Sequence, residues 1–323
     1  MAEPPKVTKF LAQLPIEEKS LFLDSFHTIQ TDCDGVLWHL GDSFSGVDRA
    51  IRALRASEKK ILFVSNNSVR TMEDYRKKLG KLTDFTVTDD DIIHPGKLII
   101  QYLRDKKFGQ ALCYVIGSAN LKKDLREAGF NIIDGPNDPV PETVAKIIPI
   151  INDKQPVKAV IVDFDFNCNN IKLLRAQLYL QHDDDCWFIA GAMDKSLPVG
   201  SRTRLIGPGW YIETLQNQAD RKPIVLSKPG RDMSRLMRQL YPVEDTRRVL
   251  FIGDQPELDI KYGSLSGFQT LLVGTGGVKQ ADLKNLQHDQ DLIPDYYIDE
   301  FASLEKIVLE VKAHKAQKNK SVL

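Results

Sequence analysis

The strongest constraint on the fold is a recurring pair: an apolar run that ends in a short polar cluster. Residues 26–31 run into Asp32-Cys33-Asp34-Gly35, and residues 60–64 into Ser65-Asn66-Asn67. Residues 223–226 run into Ser227-Lys228-Pro229, and residues 248–252 into Gly253-Asp254, with Asp259 five positions further on. The run Ile61-Leu62-Phe63-Val64 is continuous rather than alternating, which suits a strand covered on both faces of a parallel sheet. Between such runs the apolar residues recur at helical spacing. Val47, Ala50, Ile51 and Leu54 share one face of a helix predicted to start at Ser45 or Gly46. Strands alternating with helices predict an α/β fold built on a doubly wound parallel sheet. Ligands of such sheets lie beyond the carboxyl ends of the strands, where the polar clusters fall.

The cluster after the first strand carries the most chemistry. Residues two apart on an extended chain point to the same side, so Asp32 and Asp34 enter one small space. Their charges repel and call for a cation or a proton. Mg²⁺ prefers an all-oxygen shell and retains waters, which two or three carboxylates and a backbone carbonyl can supply. A phosphoryl group in transfer spreads negative charge over its oxygens and needs a cation, an ammonium and neutral donors. Mg²⁺, Lys228 and Ser65 with nearby N–H groups are those three. A carboxylate nucleophile such as Asp32 splits hydrolysis into two steps, and Asp34 is placed to move the protons. In isolation each cluster has a plainer use. Asp-x-Asp-Gly suits a turn or a calcium loop, Ser-Asn-Asn a cap, Lys-Pro a surface site and Gly-Asp a turn. Their joint placement after apolar runs is the functional signal.

The rest of the chain continues the alternation. Further strands are expected at 112–116, 131–133, 157–166, 186–190 and 269–273, and helices after Thr71, Thr88, Ser118, Asn170 and Asp232. The segment 191–209 reads as a long loop, and 301–312 as an amphipathic C-terminal helix. Cys33, between the two acids, reads as a small buried space-filler that could be oxidised there. Trp38 and Trp210 read as packing residues.

Composition excludes several classes. Lys plus Arg and Asp plus Glu both number 44, so no bulk charge favours nucleic acid or an anionic membrane. Lys312, Lys315, Lys318 and Lys320 form one basic run, expected to be a solvated helix end. No segment approaches the roughly 20 apolar residues that a membrane span needs. The four cysteines, Cys33, Cys113, Cys168 and Cys186, form no C-x-x-C pair. With no signal-type apolar segment at the start, these features give the expectation of a cytoplasmic chain with reduced thiols.

Taken in order, Asp32-Cys33-Asp34-Gly35, Ser65-Asn66-Asn67, Ser227-Lys228-Pro229 and Gly253-Asp254-x4-Asp259 resemble the four motifs of the haloacid dehalogenase superfamily. The chain is most similar to its eukaryotic 4-nitrophenylphosphatase-like branch, from about residue 22 to 300. That resemblance implies a Rossmann-like core, residues 1–107 and 221–323, interrupted by an inserted α/β cap, residues 108–220. It implies Asp32 as nucleophile and Asp34 as acid and base. It places Mg²⁺ on Asp32, the Asp34 backbone carbonyl and Asp254, with Asp259 orienting that shell. Ser65, Asn66, Asn67 and Lys228 hold the phosphoryl group, and a homodimer forms through the cap. The implied function is hydrolysis of small phosphomonoesters, such as phosphoglycolate, pyridoxal phosphate or 4-nitrophenyl phosphate. A weakly catalytic binding protein and a phosphotransferase share the fold as alternatives. The departures sit mostly in the expected cap. Asp163-Phe164-Asp165-Phe166-Asn167-Cys168 stands where Gly-Tyr-Asp-x-His-Phe is usual, and Gly191-Ala192-Met193-Asp194 where Thr-Asn-x-Asp is usual. Gln255 follows Asp254 in place of arginine. These changes bear on substrate choice and on the dimer.

Overall fold

In the computed structural model, which describes residues 6–39, 41–199 and 203–321, the strand Thr28–Thr31 stands inside a seven-stranded sheet. The order is Lys9–Phe10, Tyr296–Ile298, Gln269–Val273, Val249–Gly253, Thr28–Thr31, Lys60–Val64 and Ile92–Ile93. All six pairings are parallel. From Thr28–Thr31 the chain winds outward through Lys60–Val64, then returns on the opposite side at Val249–Gly253. The strand order reverses there, so the carboxyl ends of Thr28–Thr31 and Val249–Gly253 lie side by side at a switch point. The Asp32 N–H donates to the Ile252 carbonyl at 2.8 Å, which locks the two ends in register.

The apolar pattern accounts for this unit. Val47, Ala50, Ile51 and Leu54 are buried on helix Val47–Arg55, as their spacing predicts. They pack with Leu304, Ile307, Val308 and Val311 of helix Leu304–Ser321 in one core with Ile29, Ile61 and Phe63. Each of the valine, leucine, isoleucine and phenylalanine side chains contributes about 1.5–3 kcal/mol by leaving water. Helix Leu304–Ser321 extends beyond the expected end at 312, and its last lysines are solvated.

A second unit has its own parallel sheet, ordered Ile224–Val225, Trp187–Ala190, Val157–Val162, Leu112–Ile116 and Asn131–Ile133. Helices Asn170–His182 and Gly209–Ala219 cover it, burying Ala176, Leu180, Ile212 and Leu215 against Val160, Val162 and Phe188. The second unit comprises Asn66–Thr71 and His94–Met237; the first comprises the described residues up to Ser65, Met72–Ile93 and those from Arg238 onward. The expected insertion, 108–220, thus lies within a wider segment. Helix Pro95–Asp105 packs on Ala119–Glu127, and Ile224–Val225 extends the second sheet rather than the first. The Leu226 N–H continues that pairing to the Ala190 carbonyl at 2.9 Å. The strand leading to Lys228 therefore belongs to the second sheet, not to the seven-stranded sheet that residues 221–323 were expected to complete.

Two local expectations are also corrected. Segment 191–209 contains an antiparallel hairpin, Ser196–Val199 with Thr203–Ile206, in place of a structureless loop. The helix expected from Thr88 begins only at Pro95. The Asp91 carboxylate accepts from both the N–H and the hydroxyl of Thr88, which closes a single tight turn. Ile92–Ile93 then joins the sheet, and His94 is extended, as a residue before proline prefers.

Candidate active site

Asp32 leaves its strand into a tight loop. Its Oδ1 accepts the Cys33 N–H at 2.7 Å, and the Cys33 carbonyl accepts the Leu37 N–H at 2.8 Å. Gly35 closes the loop with φ +90°, a left-handed conformation that a side chain would strain. Its N–H donates to the Trp38 carbonyl at 2.7 Å, and its carbonyl accepts the Thr275 hydroxyl at 2.5 Å. Asp34 is held separately: its Oδ1 accepts the Trp38 indole N–H at 2.8 Å. Trp38 is fully buried, and the Lys78 ammonium lies 4.3 Å from its ring centroid. Trp38, expected only to pack, therefore orients the Asp34 carboxylate. The one hint in the sequence is its position four residues after Asp34.

Asp254 follows strand Val249–Gly253, and the turn Pro256–Ile260 returns Asp259 beneath it. Asp259 Oδ2 accepts the N–H groups of Asp254 and Gln255, each at 3.0 Å. Asp32, Asp254 and Asp259 are buried, and each offers a carboxylate oxygen in a set that lies within 4.8 Å of one another. Three anions confined this closely demand compensation. The donor set is all hard oxygen, which fits a small divalent cation. Glycine makes the cluster possible. A Cβ at Gly35 would stand 2.2 Å, and one at Gly276 2.1 Å, from Asp254 Oδ2. One at Gly253 would stand 2.1 Å from the Asp259 Cβ. Asp259, expected only to orient the shell, also brings an oxygen into this set. The Asp34 side chain is not in the set. Thr275 and Gly276 gave no signal in the sequence, because their importance comes from where the next strand's loop returns.

Ser65 directly follows strand Lys60–Val64, and its N–H donates to the Ile93 carbonyl at 2.9 Å. The remaining expected residues fall in the second unit. Asn66 grips the backbone of Lys228 at both ends: its Oδ1 accepts the Lys228 N–H at 3.0 Å, and its Nδ2 donates to the Lys228 carbonyl at 3.1 Å. The same Nδ2 donates to Asp194 Oδ2 at 2.9 Å. Lys228 is 1% exposed, and an ammonium that buried requires charged or strongly polar company. Asn67 shapes its own turn, its Oδ1 accepting from Val69 and Arg70. Asp194 was legible only as the surviving acid of Gly191-Ala192-Met193-Asp194, with no sign that it would hold Asn66.

One substitution tests the Asp34 geometry. Trp38→Phe keeps the apolar packing and deletes the indole donor. A hydrogen bond to a charged acceptor contributes about 1.5–3 kcal/mol, so kcat is expected to fall about 10- to 100-fold with KM little changed. Steady-state kinetics at saturating metal measure this; an unchanged kcat would show that the indole does not align Asp34.

The family model for haloacid dehalogenase-like hydrolases matches residues 29–131, and a second, HAD-hydrolase-like model matches residues 225–303. The chain is 32% identical over 294 residues to phosphoglycolate phosphatase 2 of Arabidopsis thaliana, covering 90% of this chain and 95% of that protein. It is 30% identical over 291 residues to glycerol-3-phosphate phosphatase of Gallus gallus, covering 87% and 92% of the two chains. Among solved structures, p-nitrophenyl phosphatase from Archaeoglobus fulgidus superposes with a TM-score of 0.72 at 22% identity, covering 87% of this chain and 99% of that one. With both models on the acid-bearing strands and relatives matched over nearly their full length, the chain belongs to the haloacid dehalogenase-like hydrolases.

Proposed function

We propose that the chain is a Mg²⁺-dependent phosphatase of small phosphomonoesters that works through an aspartyl-phosphate on Asp32. Phosphomonoester hydrolysis is the activity named for its relatives, phosphoglycolate phosphatase 2 and glycerol-3-phosphate phosphatase. The observation that carries the reading is the buried set of Asp32, Asp254 and Asp259 at the switch point of the sheet. Asp32, Asp254 and the Asp34 backbone carbonyl would hold the metal, with Asp259 fixed behind them by its two backbone bonds. The metal supplies positive charge against the phosphoryl oxygens.

The remaining chemistry belongs to side chains. An Asp32 carboxylate oxygen attacks phosphorus, and the bond from phosphorus to the ester oxygen breaks. The Asp34 carboxyl, aligned by Trp38, gives its proton to that departing oxygen. Asp34 then takes a proton from water as the water oxygen attacks phosphorus, releasing inorganic phosphate and restoring Asp32. Lys228 and Ser65, with Asn66 and Asn67, hold the phosphoryl oxygens during both steps.

Hydrolysis of 4-nitrophenyl phosphate tests the reading. Turnover is expected with Mg²⁺, is lost on chelation, and returns when Mg²⁺ is restored. A panel of phosphoglycolate, glycerol 3-phosphate and pyridoxal 5′-phosphate ranked by kcat/KM then names the substrate. Silence across the whole panel with Mg²⁺ present would turn the reading towards a binding protein, and phosphate transfer to an added alcohol towards a phosphotransferase. The proposal includes a cytoplasmic homodimer joined through the second unit. All four cysteines are free thiols, no helix among the described residues is long and apolar enough to cross a membrane, and Phe166, Ile206 and Trp210 of that unit are exposed. A monomer mass in sedimentation would remove the dimer from it.

A further inference from the structure

Strand Val157–Val162 of the second unit ends in an acid that the phosphatase chemistry does not use. Asp163 is 0% exposed. Its Oδ1 accepts two backbone N–H groups, from Phe164 at 2.7 Å and from Ala192 at 3.0 Å. Burial pushes its carboxyl up to about 6, a rise that the Ala192 and Phe164 N–H groups partly offset. A carboxylate in such a place weakens the fold at neutral pH, so it calls for a compensating role. The backbone opposite is shaped around it: a Cβ on Gly191 would stand 2.4 Å from the Asp163 carboxyl carbon.

The turn that Asp163 holds leads directly to Lys228. The Gly191 carbonyl accepts the Ser227 hydroxyl at 2.5 Å. Three residues on, the Asp194 carboxylate accepts from Asn66, which grips the Lys228 backbone at both its N–H and its carbonyl. The far side of the turn is equally confined. The Gly209 N–H donates to the Asp194 carbonyl at 3.0 Å, and a Cβ on Gly207 would stand 2.0 Å from that oxygen. The turn is thus clamped from three directions, and its fixed end is Asp163.

We propose that Asp163 is a positioning residue for Lys228: by fixing turn 191–194 it sets Asp194 and Asn66, and through them the backbone that carries the ammonium. The functional part rests on the reading of Lys228 as a phosphate-holding group. The link from Asp163 to Lys228 does not.

Asp163→Asn and Asp163→Ala separate the roles in the full chain. Asparagine keeps an oxygen for both N–H groups; alanine keeps none. With alanine, kcat/KM for 4-nitrophenyl phosphate is expected to fall about tenfold and Ki for inorganic phosphate to rise about tenfold. Amide hydrogen exchange in the peptide containing Lys228 is expected to quicken about tenfold. Asparagine is expected to restore all three to within about twofold of the parent. Gly191→Ala, which pushes on the same carboxylate, reproduces the alanine pattern and serves if Asp163→Ala does not fold. A folded Asp163→Ala or Gly191→Ala protein with parental exchange at Lys228 overturns the inference. If the parent chain hydrolyses no ester, the phosphatase reading fails, and the exchange result alone decides the link.

Discussion

Asp32→Asn is expected to reduce turnover of phosphomonoesters by at least about a thousandfold, because the amide oxygen is a poor nucleophile and the covalent route closes. The protein should nevertheless stay folded. Asp32 is buried close to Asp254 and Asp259, and chelator withholds the divalent cation that this set fits. Like charges at that separation cost on the order of a few kcal/mol at an effective protein dielectric near 20. Replacing one with a neutral amide of the same shape relieves part of that cost. In EDTA, therefore, Asp32→Asn should melt higher than the parent, and Mg²⁺ should stabilise it less. Rapid quenching with labelled ester should trap phosphate on the parent's Asp32 peptide and none on the variant. Parental turnover by Asp32→Asn would end the aspartyl-phosphate mechanism.

Gly276→Ala carries the second large effect, and its cause is steric. The new methyl would stand 2.1 Å from Asp254 Oδ2, far inside contact distance, and Asp254 is only 3% exposed. The carboxylate has to move. Affinity for Mg²⁺ should fall about 10- to 100-fold, as when the groups that position a ligand are removed. Activity at low Mg²⁺ should fall in proportion and partly recover at high Mg²⁺. Unfolding in EDTA should cost the variant about 1–3 kcal/mol of stability, the ordinary range for overpacking, which leaves the chain folded. Gly35→Ala should be more severe, because the left-handed φ of +90° adds strain to the same clash. A Mg²⁺ titration monitored by activity and by thermal shift measures both. An unchanged Mg²⁺ midpoint in Gly276→Ala would remove Asp254 from the metal shell.

What could be read from the sequence was set by range. The acids of the first strand follow apolar runs, and strand periodicity with like-charge repulsion was enough to bring Asp32 forward. Asp254 was legible at the end of an apolar run, whereas the role of Asp259 came only from the family resemblance, and its place beneath Asp254 is set by a single turn. The partner of the Lys228 strand was not legible. Ile224–Val225 is two residues long, carries no sidedness, and its partner depends on where Trp187–Ala190 lies. The hairpin at Ser196–Val199 was hidden because its strands are short and polar-edged, and the first contains Pro198. The late helix start at Pro95 was missed because the Thr88 and Asp91 pair makes the same side-chain bonds in a lone turn as in a helix cap. Trp38 and Asp194 act through contacts that periodicity does not encode.

Gly35, Gly253 and Gly276 leave the acid cluster walled by hydrogen atoms rather than side chains. Of the three, Gly276, free of a left-handed φ, forms a mutational blind spot. A methyl added at Gly276 displaces a carboxylate without opening the core, so the altered chain should be made at normal levels, resist proteolysis and pass for intact in any abundance assay while losing metal-dependent turnover. Inherited or laboratory variants at Gly276 should be sought by activity, because their protein yield will look ordinary.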